Sequence, residues 1–339
     1  AVVETTSEGI KQWRHFGIYY DIAIFTNLTP EHLEAHGNSF EKYKAAKGKM
    51  FKSLYRGLRK IINGEEIKKV IIVNYDDLHK EYFLNFPADM KITFGTREGA
   101  DFRADNIINT EDGLEFFIGS ASYKINILGK FNVYNALPAI AIGSTFNVSH
   151  EQIQGGLKSL KNIPGRMEKI DEGQNFAVFV DYAHEKEGMN AVLETARDML
   201  ETEFPTSGNS VSKGKIILLL GAEGGGRDKA KRPILGKIAA KKADFVVISN
   251  VDPYEDDPKE ICEDIAIAAE KFGKIRGENL FVIEDRREGI RKALYLAGKN
   301  DVVLITGKGS EQSIVIGGKR YPWDDRVVVR EEINKIINK

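Results

Sequence analysis

Between Thr26 and Phe51 the chain reads TNLTPEHLEAHGNSFEKYKAAKGKMF, a stretch dense in residues that can do chemistry. From Phe40 onward apolar side chains recur at helical spacing (Phe40, Tyr43, Met50 with Phe51, Leu54, Leu58), which predicts one face of an amphipathic helix. Lys47 fills the gap in that stripe. Two chemistries are open to it. The ammonium can snorkel out or pair with Glu31 or Glu41. Alternatively, desolvation raises its neutral fraction, and the amine adds carbon dioxide to become a carbamate, an anionic oxygen ligand for a metal. His32 and His36 share EHLEAH with two glutamates, in a polar loop after a strand end, and Glu4 closes the first apolar stretch. Loop histidines are commonly just solvated. A carboxylate, an imidazole and a carbamate together would instead suit a magnesium ion that also binds phosphate.

Three further stretches follow apolar strands. GAEGGGRDKAKRP, Gly221 to Pro233, places a glycine-rich turn and the cations Arg227, Lys229, Lys231 and Arg232 after KIILLL. Such a turn presents backbone N–H groups to an anion, although its spacing is wrong for a dinucleotide fingerprint. VDYAH carries Asp181 and His184, and TGKGSEQ runs from Thr306 to Gln312. The phosphate-loop pattern G-x-x-x-x-G-K-[ST] is absent, and no Gly-Lys pair is followed by serine or threonine.

The elements that must position these residues differ between the halves. In the first half, strands are expected at Ala1–Thr6, Ile22–Phe25, Val70–Asn74 and roughly 91–94 and 114–127, with helices at about 132–145 and 150–160. NIPGR, Asn162 to Arg166, is the linker candidate. In the second half, FAVFVDYA, KIILLLGA, DFVVISN, LFVIED and DVVLITG alternate with helical stretches, which indicates a parallel, doubly wound sheet. Ligands of such sheets bind beyond the carboxyl ends of the strands. Pro205 to Lys215 reads as a surface loop. The organisation is thus two α/β domains, 1–164 and 165–339.

Composition narrows the class. The 339 residues carry 49 basic and 50 acidic side chains, a formal charge of -1, so no bulk excess points to nucleic acid or an anionic membrane. The single cysteine, Cys262, allows no internal disulfide. No apolar run approaches the ~20 residues of a membrane span. The expectation is a cytoplasmic monomer. The apolar opening AVVETTSEG, with no initiator methionine, reads as a strand cut from the middle of a domain, and the chain as a fragment.

Together these stretches resemble the Mur ligase family, ATP-dependent amide ligases of peptidoglycan precursors, most nearly the MurE type that adds a third amino acid to UDP-N-acetylmuramoyl-dipeptide. ETTSEGIKQWR, FTNLTPEHLEAHG, YKAAK, GKFNVYNALPAIA, IPGRMEKID, VDYAH, GGGRDKAKRP, DPYEDDP and GKGSEQ carry the likeness almost end to end. The resemblance implies a central ATPase-type domain, here without its phosphate loop, followed by a Rossmann-like C-terminal domain. It implies ATP and magnesium as cofactors, an acyl-phosphate intermediate, and partners limited to the nucleotide-peptide and a free amino acid. It further implies a carbamylated Lys47 holding metal with His32 and Glu4. Thr6, Gln12 and Arg14 would contact the UDP-sugar. Asn132, Asn135, Arg166 and Asp181 would contact the nucleotide, with His184 in the same cleft. Arg227, Gly307 and Glu311 would hold the incoming amino acid.

Three departures qualify the likeness. The N-terminal UDP-binding domain and the GTxGKT loop are missing, so the chain alone is expected to be inactive. The family's diaminopimelate motif DNPR is replaced by Val251-Asp252-Pro253-Tyr254, so a bidentate arginine is lost. With Glu255, Asp256 and Asp257 adjacent, Asp252 and Tyr254 are expected to favour lysine or another diamino acid. GKGHE has become GKGSE, and DYAHTP has become DYAHEK. Alternatives are a folylpolyglutamate-, cyanophycin- or pseudomurein-type ligase of the same superfamily, or a non-catalytic nucleotide-binding remnant.

Overall fold

The computed structural model describes residues 1–30, 33–110, 113–202, 214–226 and 229–338. Two compact units are present, residues 1–126 with 130–160 and residues 127–129 with 161 onward.

The first unit runs α1 (Ser7–Lys11), β1 (Ile22–Phe25), a 3-10 turn at Leu33–His36, α2 (Phe40–Arg56), the small hairpin β2 (Ile61–Ile62) and β3 (Glu65–Glu66), β4 (Val70–Asn74), α3 (Lys80–Leu84), β5 (Met90–Gly95), β6 (Phe102–Arg103), β7 (Asp105–Thr110), β8 (Gly113–Ile118), β9 (Ala121–Ile125), α4 (Phe131–Thr145) and α5 (His150–Ser159). Its main sheet is parallel, in the order β1-β4-β5-β6. Val70 and Ile72 of β4 face Val133, Leu137 and Ile140 of α4, while Ile71 and Val73 face Phe51 and Leu54 of α2 and Phe83 of α3. Both faces of β4 are covered, which is why its sequence, VIIVN, is apolar at both parities.

The expected strand at Ala1–Thr6 does not form. β1 is the edge of the sheet, paired with β4 alone, and Ala1–Thr6 form no ladder along its other side. Thr6 serves as N-cap of α1, its side chain accepting from the Gly9 N–H at 2.9 Å. Val2 is left 95% exposed.

The second unit runs β10 (Glu168–Lys169), β11 (Ala177–Asp181), α6 (Lys186–Thr202), β12 (Ile216–Leu220), α7 (Lys231–Lys242), β13 (Phe245–Ile248), α8 (Pro258–Lys271), β14 (Leu280–Val282), α9 (Arg286–Leu296), β15 (Val302–Thr306), β16 (Ser313–Ile316), β17 (Lys319–Pro322) and α10 (Asp325–Ile337). The six-stranded sheet has the order β10-β11-β15-β12-β13-β14, parallel except for β10. Val178, Ile217, Leu219, Val247 and Val303 pack against Ile290, Leu294, Val329 and Ile333 of α9 and α10. The alternate residues Phe179, Leu218, Val246 and Leu304 are equally buried. This is the doubly wound sheet that the sequence predicts.

NIPGR is not a loose linker. Ile163 bridges Arg166 in a tight turn, and Gly165 is buried. Gly165 has φ +64, and a Cβ there would stand 2.1 Å from the Ser310 nitrogen. Only glycine lets this backbone lie against the Gly307–Gln312 loop. The expected surface loop at 205–215 lies largely outside the described residues.

Candidate functional site

β11, β15 and β12 are neighbours, and their carboxyl ends bring three of the notable stretches together. Asp181 closes β11. It is buried and accepts from the Met167 N–H at 2.7 Å and the Ala183 N–H at 2.6 Å. Burial pushes its carboxyl above the usual range, against the pull of those two donors and of Arg166 and His184. Tyr182 follows. The Arg166 guanidinium lies 4.5 Å from its ring centroid, His184 packs edge-on at 4.6 Å, and its hydroxyl donates to Glu311 Oε1 at 3.4 Å. Burial, with Glu311 and Glu223 adding negative potential, pushes this phenol up to about 12. It therefore stays a donor at neutral pH. His184 Nδ1 lies 2.8 Å from the Tyr182 carbonyl, which fixes the ring.

Gly307, at φ +108, turns the chain out of β15, and its N–H donates to the Asp181 carbonyl at 3.1 Å. Lys308 then points inward, only 1% exposed, with its Nζ 2.7 Å from Asp252 Oδ2 and 2.6 Å from Glu311 Oε2. The other oxygen of Asp252 accepts from the Val315 N–H at 2.7 Å. Asp252, Glu311, Gly307, Asp181, Arg166 and His184 are thus gathered in one place. Arg227 lies outside the described residues. Tyr254 sits in the left-handed region at φ +53 and bridges Ile316, so its backbone is tied to β16.

The acidic neighbours of Tyr254 do not all face a substrate. Asp257 caps α8, accepting from the Lys259 N–H at 2.9 Å, and Asp256 lies 3.7 Å from Arg232. Glu255 and Asp257 are both exposed, but Asp257 is engaged as the cap of α8, which leaves Glu255 as the exposed acidic neighbour beside Tyr254. The glycine-rich turn is likewise less basic than its sequence suggests. Lys231 is buried between Glu223 (2.7 Å) and Glu185 (2.8 Å), and Arg232 pairs with Asp264 at 2.9 Å. Burial pulls the Lys231 ammonium down, but the two carboxylates outweigh it and hold it above its ordinary value.

In the first unit a cleft of about 620 Å³ is lined by Glu4, Thr5, Thr26, Asn27, Lys47 and Met50 among others. Lys47 is half-buried rather than fully buried, with its Nζ 5.1 Å from the Tyr43 ring centroid. Glu4 is exposed on the same cleft. His32 lies outside the described residues. Among the described residues no three His, Cys, Asp or Glu side chains gather as a metal site. Glu4 with the hydroxyl and amide oxygens of Thr26 and Asn27 is nonetheless a donor set that suits magnesium, which needs only one or two carboxylates and keeps waters. His36, expected in a polar loop, is buried against Tyr43, its Nε2 3.0 Å from Ser7 Oγ. Burial, then the ammoniums of Lys11 and Lys47, hold it below its ordinary pKa. Thr6 is occupied as a cap, while Gln12 and Arg14 are exposed at the end of α1.

Residues 1–143 match the Mur ligase middle domain, and residues 165–309 match the Mur ligase, glutamate ligase domain. The chain belongs to the Mur ligase family. It is 36% identical over 342 residues to UDP-N-acetylmuramoyl-L-alanyl-D-glutamate--2,6-diaminopimelate ligase 1 of Clostridium acetobutylicum, covering 99% of this chain and 64% of that protein. The UDP-N-acetylmuramyl-tripeptide synthetase of a Roseiflexus species is 35% identical over 344 residues, with 99% and 65% covered. The chain therefore spans just under two thirds of these Mur ligases. A solved UDP-N-acetylmuramoyl-L-alanyl-D-glutamate--2,6-diaminopimelate ligase superposes with a TM-score of 0.58 at 28% identity, over 99% of this chain and 64% of its own. Mycobacterium tuberculosis folylpolyglutamate synthase, at 18% identity and a TM-score of 0.63 over 95% and 65% of the two chains, shares the fold alone.

Within this Mur ligase fold Asn132 and Asn135 stand one helical turn apart on α4, Asn135 Nδ2 donating to Asn132 Oδ1 at 2.9 Å. Asn132 is buried and Asn135 exposed, so one orients the other toward solvent. Tyr182 and Lys308 were not singled out from sequence, and Lys231 was read as one of four cations without its partner Glu223. The signal for Lys308 was its position between two glycines, both of which adopt positive φ.

Proposed function

We propose that this chain is part of an ATP- and magnesium-dependent ligase that adds the third amino acid to UDP-N-acetylmuramoyl-dipeptide. The observation that carries the reading is Tyr182, whose ring contacts Arg166 and whose hydroxyl reaches Glu311. A residue of the nucleotide type and one of the amino-acid type are one side chain apart. In this reading Arg166 and Asp181 are nucleotide-contacting residues of the second unit, and Asn132 and Asn135 of α4 are nucleotide-contacting residues of the first, each carried over on its own motif. Glu311 accepts from the ammonium of the incoming amino acid, with Arg227, Gly307 and His184 lining the acceptor pocket. Thr6, Gln12 and Arg14 meet the UDP-sugar. Lys47, as its carbamate, holds magnesium with His32 and Glu4. The ion, when bound, neutralises phosphoryl oxygens during transfer.

The acceptor assigned here is a diamino acid such as lysine. Tyr254 offers no bidentate clamp for a distal carboxylate, and Glu255 favours a cation. Because the sequence holds no phosphate loop, this chain alone is expected to release little phosphate. In a protein that joins it to such a loop, phosphate release requires ATP, magnesium, nucleotide-peptide and lysine together. Release that ignores the nucleotide-peptide overturns the ligase reading, and faster incorporation of labelled diaminopimelate than of lysine overturns the acceptor.

A further inference from the structure

In the second unit, α7 and α8 cross so closely at Gly236 that a Cβ there would stand 2.2 Å from the Ile265 carbonyl oxygen. Beside this crossing runs a groove of about 540 Å³, lined by Lys229, Pro233, Ile234, Lys237, Ile267 and Phe272 among others. Three of its apolar side chains remain open to solvent, Ile234 at 40%, Ile267 at 46% and Phe272 at 43%. Ile234 and Lys237 lie one turn apart on α7, while Asp264, Ile267, Ala268 and Lys271 keep helical spacing on α8. The apolar groups thus form a continuous recessed stripe.

The rim is predominantly basic, and the one acid among its described lining residues, Asp264, is paired with Arg232 at 2.9 Å. Lys237 and Lys241 place their ammoniums 5.1 and 5.3 Å from the Phe272 ring centroid. Among the described residues neither they nor Lys271 has a carboxylate within 4.0 Å. The acidic side chains of α8 are engaged elsewhere, Asp264 with Arg232, and Glu263 and Glu270 with Arg276. Lys229 meets Glu260 only at 3.7 Å. In a chain of net charge -1 this local excess is not a consequence of bulk composition. The ring face attracts each lysine above it, so the cations are held beside the apolar floor.

We infer that this groove docks an acidic amphipathic helix of a partner protein. The occupant lays an apolar ridge along Ile234, Ile267 and Phe272 and sets glutamates or aspartates against Lys237, Lys241 and Lys271. A planar anionic bilayer fits less well, because the apolar side chains are recessed between two helices rather than borne on a convex face. The inference is independent of the ligase reading, since none of these residues is assigned to that site.

The test uses this chain and a synthetic helix of about four turns, with leucines at i, i+3, i+4 and i+7 and glutamates on both flanks. Binding is followed by the anisotropy of a dye on the peptide. The expected result is saturable one-to-one binding with a Kd between about 1 and 100 μM, typical of a small transient interface. It weakens roughly tenfold in the double variant Lys237→Glu/Lys271→Glu, and by a similar factor when salt rises well above the Debye regime of about 0.15 M. Ile267→Asp abolishes it. Both positions are exposed, and the variants are checked for an unchanged melting temperature, with Ile234→Ser as a second apolar probe. Absence of saturable binding overturns the inference, as does equal affinity for a peptide of scrambled order. Sedimentation of the chain with phosphatidylglycerol vesicles, lost on Ile267→Asp, overturns it in favour of a membrane surface.

Discussion

The two units handle charge in opposite ways. The second buries ion pairs beside its candidate site. Arg286 and Asp325 are almost fully enclosed and bonded twice, at 2.8 and 2.6 Å, and Lys308 and Lys231 each sit between two carboxylates. The first keeps its candidate site half-open, with Glu4 exposed and Lys47 half-buried on a wide cleft. Among its described residues the one fully buried lysine, Lys69, is held largely by the carbonyls of Tyr20 and Leu58, at 2.6 and 3.0 Å, with Asp21 at 3.2 Å. The difference is one of preorganisation. The second unit's charges are fixed against each other before any ligand arrives, whereas Glu4 and Lys47 stand on the first unit's cleft with part of their surface open.

The sharpest break should come at Arg286. Its guanidinium also donates to the carbonyls of Asn250 (3.0 Å) and Thr306 (2.8 Å), so Arg286→Met strands a buried carboxylate and two acceptors. Removing one partner of a buried pair costs about 3–5 kcal/mol. Hydrogen exchange read segment by segment should show lost protection in β11, β13 and β15, with β4 and β5 unchanged. Equal loss in both sets would deny that the units are separately stabilised.

Next in size is Lys308→Met, which leaves Asp252 and Glu311 facing each other without their shared cation. A loss of about 3 kcal/mol is expected, somewhat below the Arg286 effect because Glu311 is partly exposed. The double variant Lys308→Met/Asp252→Asn should recover at least about 1 kcal/mol in urea unfolding, because the two residues are in contact. Strict additivity would mean that the pair is not coupled.

The same contrast explains what was legible in the sequence. In the second unit, continuous runs such as IILLL and VVLIT name buried parallel strands, and the glycine-rich ends name the site because ligands collect there. In the first unit, AVVET has the composition of a strand, but it makes no ladder, and β1, the edge strand, is paired only with β4. Lys47 was legible as a lysine on an apolar stripe. Its actual exposure depends on the cleft, which the helical period does not encode. Lys231, Arg232 and Asp256 were read as free charges, yet they are paired through contacts between separate elements, such as Arg232 with Asp264. Spacing along one element carries no record of a partner on another.

Acid should separate the units more gently. In the second, burial raises the Glu332 carboxyl but Arg291, Lys335 and Arg287 outweigh it and hold it down at about 2. In the first, Asp89 is also held at about 2, by Arg59 and the Lys69 N–H. A carboxylate whose folded pKa is depressed contributes stability above its unfolded pKa, and that contribution disappears as pH falls toward the folded value. Both units should therefore weaken between about pH 4.5 and pH 2. The Glu332 side chain is 1% exposed and that of Asp89 25%. Raised salt should thus erase the acid response of Asp89 more than that of Glu332. Glu332→Gln should flatten the acid limb of the second unit's unfolding curve in low and high salt alike. An acid limb that persists in this variant assigns the response to other carboxylates.

The smallest effect on stability is expected where the functional effect is largest. Lys47 is half-buried on the rim of a cleft with its Nζ 5.1 Å from the Tyr43 ring centroid, and Lys47→Met keeps the apolar stem, so the first unit's stability should move by about 1 kcal/mol or less. A lysine kept only as the polar edge of α2 would predict nothing further. A lysine kept as a carbamate predicts that intact mass at high bicarbonate shows a carbon dioxide adduct, that Lys47→Met lacks it, and that magnesium-dependent nucleotide binding falls with it. Depleting bicarbonate from the unsubstituted protein should reproduce that loss without moving its melting temperature. If stability drops sharply while magnesium-dependent binding persists, Lys47 belongs to the core of the first unit, and the contrast between a preorganised site and a half-open one fails there.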